Sequence, residues 1–232
     1  MRRSIFRVLL SVFFAVLLMI GISCQPASPP SNNYPYPPGG MMGGPGGWMG
    51  PGGMMGGPRG PYRPGQARLT VDQAIQLAQG YLAGQNNPDL QVTEVMEFDY
   101  NFYVDIAEKS TGIHAFEALI DPYTGDMYPE PGPNMMWNTK YGMMSGMIWG
   151  LSSPAASMTV TPDQASKLAQ QFIDSYIPGG KVNEPVRFYG YYTFDFSLNG
   201  NTYGMLSVNG YTGQIWYHSW HGAFRGEKQI NP

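Results

Sequence analysis

Cysteine is nearly missing from this chain. Cys24 stands alone among 232 residues, so no internal disulfide can form. Charge is also scarce, with Asp, Glu, Lys and Arg together making up 12% of the sequence. The 13 bases are outnumbered by 16 acids. They form no cluster of the kind that nucleic-acid binding requires, which excludes that class of partner. No apolar run reaches the roughly 20 residues of a membrane-spanning helix. The sequence has no Ser/His/Asp order of a hydrolase, no phosphate-binding loop and no metallopeptidase helix motif. The chain reads as a non-enzyme.

The N-terminus supplies the first positive signal. Arg2, Arg3 and Arg7 precede a nearly unbroken apolar run of about fifteen residues, Val8 to Ile22, the layout of a secretory signal. Cys24 follows directly in Ile20-Gly21-Ile22-Ser23-Cys24. This stretch resembles a bacterial lipobox, with Ser23 as the small residue before the cut and Gly21 where leucine is preferred. Residues 1–23 are therefore expected to be a signal peptide and Cys24 to be the lipidated N-terminus. Acyl chains contribute about 0.8 kcal/mol per buried CH₂, so two or three hold a protein durably at a membrane. Gln25 is not the aspartate of inner-membrane retention, which favours the outer membrane. Cleavage removes three bases and no acids, leaving a net charge of −6. An uncleaved N-terminal anchor is the alternative.

Residues 24–68 are dominated by Pro, Gly and Met. They cannot bury enough apolar area to offset their ordering entropy and are expected to form a disordered linker. Beyond them the sequence repeats itself. Thr70-Val71-Asp72-Gln73-Ala74 is answered by Thr161-Pro162-Asp163-Gln164-Ala165, Phe102-Tyr103-Val104-Asp105-Ile106 by Tyr192-Thr193-Phe194-Asp195-Phe196, and Asp121-Pro122-Tyr123-Thr124-Gly125 by Asn209-Gly210-Tyr211-Thr212-Gly213. Each copy opens with a capping box, Thr70/Gln73 and Thr161/Gln164, in front of a helical apolar stripe. The stripes are Ala74, Leu77, Ala78, Tyr81, Leu82 and Ala165, Leu168, Ala169, Phe172, Ile173. Strands are expected at 91–98, 101–108, 113–121 and 126–128, then at 184–190, 191–198, 202–209 and 214–218. Asn199-Gly200 is a two-residue hairpin signal. The expected fold is α+β, with two repeated modules of one N-terminal helix packed on a three- to four-stranded antiparallel sheet. Module 1 covers 69–133, a Met/Trp-rich connector 134–157, module 2 158–224 and a tail 225–232. Because a unit of about 65 residues is marginal alone, the two are expected to pack together.

A capped helix, strands, a (D/N)-x-x-T-G turn and a further strand together resemble the PepSY domain. The turns that carry the resemblance are Asp121-Pro122-Tyr123-Thr124-Gly125-Asp126 and Asn209-Gly210-Tyr211-Thr212-Gly213-Gln214, and it covers about 70–130 and 160–220. PepSY domains occur in propeptides of secreted metallopeptidases and in bacterial surface proteins, and peptidase modulation has been proposed for them. The family offers no catalytic residues to carry over. The resemblance implies a free-standing module that binds a peptide or protein partner, a peptidase among the candidates.

Two sets of residues are candidate sites. Tyr191, Tyr192 and Tyr203 would line an open sheet face or edge for that partner. Met135, Met136, Met143, Met144 and Met147, with His218 and His221, form the alternative, a soft-metal site for Cu(I) or Ag(I), since thioethers select such ions. Otherwise no cofactor is expected, and these methionines fill apolar gaps between modules. His114 reads as an ordinary strand residue. Asp105 and Asp195 read as solvent-facing.

Overall fold

The computed structural model describes residues 67–143 and 157–230. The expected signal peptide, Cys24, nearly all of the linker, Met144 and Met147 lie outside the described residues.

Helix α1 (Val71–Gly84) begins where Thr70 accepts the Gln73 N–H and the Gln73 side chain accepts the Thr70 N–H. Asp72 sits in the first turn, at the positive end of the dipole. The strands β1 (Leu90–Phe98), β2 (Phe102–Glu108), β3 (His114–Ile120) and β4 (Met127–Pro129) follow in an antiparallel meander. A one-turn helix, α2 (Pro133–Met136), leads into the connector. Helix α3 (Pro162–Tyr176) has the same reciprocal cap between Thr161 and Gln164, with Pro162 in its first turn, where no N–H is needed. The second sheet is built from β5 (Lys181–Val182), β6 (Val186–Arg187), β7 (Tyr191–Leu198), β8 (Asn201–Asn209) and β9 (Ile215–Tyr217). Asn199 and Gly200, both at positive φ (53° and 81°), make the β7–β8 turn.

Each sheet ends in the same turn. Asp121 Oδ1 accepts the N–H groups of Tyr123 and Thr124, and Asn209 Oδ1 those of Tyr211 and Thr212. Gly125 and Gly213 close these turns at φ 77° and 71°. Such a side chain satisfies two backbone donors locally, so the turn is encoded by the Asp or Asn and the glycine.

Three details differ from expectation. Residues 225–229, expected as the start of a tail, join Phe224 in β10 (Phe224–Gln229), which pairs antiparallel with β1. The first sheet therefore runs β10-β1-β2-β3-β4, with five strands. The strand expected at 184–190 is broken into β6 and a turn, because Pro185 lacks an N–H and Gly190 adopts φ 101°. On α1, Leu77 and Tyr81 remain 40% and 41% exposed, while Ala74, Ile75, Ala78 and Leu82 are buried. The alanines let the helix axis sit close to the sheet, and the larger side chains fall to its flank.

Alternation along the strands sorts the cores. On β2, Phe102, Val104 and Ile106 pack beneath α1; on β7, Tyr192, Phe194 and Phe196 pack beneath α3. The opposite faces meet each other, where Met96, Phe98, Tyr103 and Leu119 of the first sheet enclose Met205 of the second. The layers run helix, sheet, sheet, helix. All seven residues of β2 are buried, as a strand covered on both faces must be.

Gly190 tests the junction. Its φ is 101°, and an added Cβ would lie 2.3 Å from the Trp137 carbonyl oxygen. Gly190→Ala is expected to cost about 2–4 kcal/mol in urea unfolding. Gly226→Ala, where a Cβ meets nothing within 4 Å, should stay within about 0.5 kcal/mol.

Candidate functional site

The facing sheet surfaces carry the unusual chemistry. On β3, Phe116, Ala118 and Ile120 turn toward α1, so Glu117 is directed at the second sheet. It is fully buried. Tyr103 and Thr193 donate to its Oε1 at 3.0 and 2.7 Å, and Tyr191 donates to Oε2 at 2.7 Å. Burial pushes this carboxyl well above its ordinary range, the nearby Glu130 adds to the rise, and the Thr193 and Tyr191 hydroxyls oppose it. The connector finishes the enclosure. The Asn134 amide bonds both the N–H and C=O of Glu117, and Asn138 donates to the Ala115 carbonyl at 2.7 Å. These two side chains satisfy backbone groups of β3 beyond the reach of the short β4.

A line of hydrogen bonds leaves Glu117 and crosses the second sheet. Thr193 Oγ1 meets Ser207 Oγ at 2.9 Å, and Ser207 meets His218 Nε2 at 2.9 Å. The other nitrogen of His218, Nδ1, lies 3.3 Å from Glu130 Oε1, and His221 Nε2 lies 3.0 Å from the same oxygen. All three residues are buried. Trp220 Nε1 also donates to Glu130 Oε1, at 3.0 Å. The rings of Trp220 and Phe98 stack on His218 and His221 at 4.8 and 4.5 Å between centroids, walling the cluster with apolar surface.

The hydrogen-bond directions can be read from their ends. The Asn101 Nδ2 donates to the Trp220 carbonyl, which fixes Asn101 Oδ1 as the atom facing His221 Nδ1, at 2.8 Å. Nδ1 must then carry the proton, and Nε2 presents a lone pair to Glu130. On the other side, the line through Thr193 and Ser207 can run in either direction. In the tautomer that donates His218 Nε2–H to Ser207, His218 Nδ1 is left with a lone pair as well. His218 Nδ1, His221 Nε2 and Glu130 Oε2 make no hydrogen bond. Buried polar groups are normally partnered, and here three orphaned atoms from one cluster converge. Burial lowers the His221 pKa. Among the described residues, this trio is the group of His, Cys, Asp or Glu side chains able to share a metal ion, with ligand atoms all within 4.8 Å of one another.

The residues singled out by sequence scatter around this centre. His218 and His221 enter it, from the loop after β9. Met135 is half-buried, whereas Met136 and Met143 are 40% and 69% exposed. Tyr191 and Tyr192 do not present an open surface: Tyr191 is sealed between the sheets against Phe188 and Glu117, and Tyr192 lies under α3. Tyr203 is half-buried beside Phe196. Asp105, expected in solvent, is buried with Oδ2 2.6 Å from His114 Nδ1, and that half-buried histidine packs edge-on against Phe188. Glu117 and Glu130 were missed. The signal for Glu117 was available in retrospect, since a charge at an alternating position of an otherwise apolar strand is costly unless paired.

Two further ion groups flank the interface. Glu108 accepts from Thr111, Tyr141 and Tyr189 at 2.8, 2.6 and 2.7 Å and pairs with Lys140. Burial raises its pKa, but these partners outweigh that and bring it down to about 2. On the opposite side, burial first, then the neighbouring charges Asp195, Asp105 and Glu227, lift Glu94 to about 8. Burial, with Glu227 and Asp105, lifts Asp195 to about 7.

No protein-family model matches the chain, and no curated protein matches it. Among solved structures, the YpeB C-terminal domain of Bacillus megaterium aligns at 16% identity over 64% of this chain and 61% of that one, with a TM-score of 0.23. This chain thus spans about three fifths of its length. A lipoprotein candidate from Clostridium difficile 630 aligns at 16% identity over 64% of this chain and 91% of that one, with a TM-score of 0.22. At such scores neither likeness carries a conclusion.

The acid cluster sets a pH dependence. Glu94 and Asp195 have native pKa values above their unfolded ones, so the native state holds more protons between about pH 4 and 8. Stability should therefore fall as pH rises through that window. Urea midpoints taken from pH 5 to pH 8 are expected to decline, and Glu94→Gln and Asp195→Asn should each flatten the decline.

Proposed function

We propose that the chain is a lipid-anchored, non-catalytic protein of the cell envelope, carrying a PepSY-like module twice and holding a peptide or protein partner. What supports the reading is recurrence at the level of atoms. Thr70/Gln73 and Thr161/Gln164 form the same reciprocal cap. Asp121 and Asn209 make the same turn, with glycine at the same place. Local chemistry duplicated in the same chain order is the mark of one module made twice. The N-terminal sequence supports the anchor, since Cys24 directly follows the apolar run. Among the described residues no helix is long and apolar enough to cross a membrane.

Back-to-back packing narrows where a partner can dock. The inner sheet faces cover each other and the outer ones lie under helices, so a partner reaches edges and flanks. The edge strands are short, as in β4, β5 and β9, or charged, as in β10 with Arg225, Glu227 and Lys228. Both features discourage strand addition. The flank of α1 is different, because Leu77 and Tyr81 lie one turn apart and exposed. Our reading puts the partner surface there, with peptidase modulation as its candidate purpose. A metal-binding role is the second reading, favoured by the convergence of Glu130, His218 and His221.

The anchor and the surface are tested separately. Mass spectrometry of the mature protein should find residues 1–23 removed and Cys24 acylated, and an intact N-terminus would overturn the anchor. Photo-crosslinking groups placed at Leu77 and Tyr81 in cells should trap one discrete partner. The same adducts from a group placed at Lys167 on α3, or no adduct at all, would overturn the α1 surface.

A further inference from the structure

We propose that Glu130, His218 and His221 form a buried site for a divalent transition-metal ion of borderline softness, such as Zn²⁺, which staples the two modules together. The ligand set is two imidazole nitrogens and one carboxylate, which suits such ions better than it suits Cu(I).

Geometry carries the proposal. An ion with bonds of about 2.0–2.1 Å spaces its ligand atoms by about 3.3–3.4 Å in tetrahedral geometry, and less when the angles close. Glu130 Oε1 stands 3.3 Å from His218 Nδ1 and 3.0 Å from His221 Nε2. These nitrogens form no hydrogen bond across the gap, and neither does Glu130 Oε2. His221 Nε2 offers a lone pair, because Asn101 Oδ1 takes the Nδ1 proton, and His218 Nδ1 offers one in the tautomer that donates Nε2–H to Ser207. Three acceptors facing one another repel unless a cation stands between them. With Glu130 engaged through both oxygens, four donor atoms are supplied.

The surroundings have the form expected of a metal's outer shell. Each imidazole is oriented by a hydrogen bond on its far nitrogen, His218 by Ser207 and His221 by Asn101. This is the usual way a protein fixes the tautomer of a ligand histidine. The stacked rings of Trp220 and Phe98 exclude water.

The position of the ligands defines the ion's task. Glu130 follows β4 of the first sheet, and both histidines follow β9 of the second. An ion here crosslinks the modules at the point where the chain leaves the second sheet to form β10. Its contribution is to folding, because an unfolded chain has no such site.

Zinc titration of the mature, tag-free protein tests this directly. After treatment with chelator and dialysis, it should take up about one Zn²⁺ per chain with submicromolar affinity against a chromophoric competitor. Its thermal midpoint should rise by about 5 °C or more at saturation. X-ray absorption at the zinc edge should give a nitrogen and oxygen shell with imidazole scattering and no sulfur. Ser207→Ala, which touches the ion only through His218, should weaken uptake about 10-fold, and His221→Gln about 100-fold or more. If a variant fails to fold, the wild-type titration still decides. The proposal is overturned if the folded wild type takes up Zn²⁺ no more tightly than about 100 µM with an unmoved midpoint. It is equally overturned if uptake survives His221→Gln unchanged, or if sulfur fills the first shell.

Discussion

A carboxylate buried between two sheets needs donors from both, and Glu117 obtains them. Tyr103 reaches it from its own sheet, and Tyr191 and Thr193 from the other. Burying such a group without partners costs several kcal/mol, so the interface must form as a whole or not at all. The same requirement passes along the line through Thr193, Ser207 and His218 to Glu130. The two sheets are joined by a polar seam inside an apolar one, where Met96, Phe98, Leu119 and Met205 supply the contact area. Apolar contact favours association of many kinds, whereas the hydrogen-bonded line admits one register.

This seam explains what the sequence could and could not reveal. Helix starts at Thr70 and Thr161, the Asn199-Gly200 turn and the Asx turns at Asp121 and Asn209 were all legible, because each is decided by residues within four positions of one another. The strands β1, β2, β3, β7 and β8 were legible from alternation. Alternation does not say what covers the second face. Asp105 and Glu117 occupy positions that would face water in a single module, and only the other sheet makes them interior. Of the candidate centre, His218 and His221 were visible as a pair, but Glu130 was not. It lies 88 residues before His218 in sequence, and only the packing of the modules brings it to them.

The covering of both sheets also decides what kind of surface the molecule offers. Its tyrosines are largely spent inside, on Glu117, on Glu108 and beneath α3. Among the described residues, the outward features include short or charged strand edges, the flank of α1 and the exposed side chains of Tyr100 and Met143. Such edges resist pairing with other sheets.

The return of β10 to the first sheet has a consequence for biogenesis. Strand β1 lacks one of its neighbours until residues 224–229 are available, so the five-stranded sheet is completed only after the strands of the second sheet have been made. The first sheet thus waits, with an open edge on β1, for a strand encoded beyond the whole of the second.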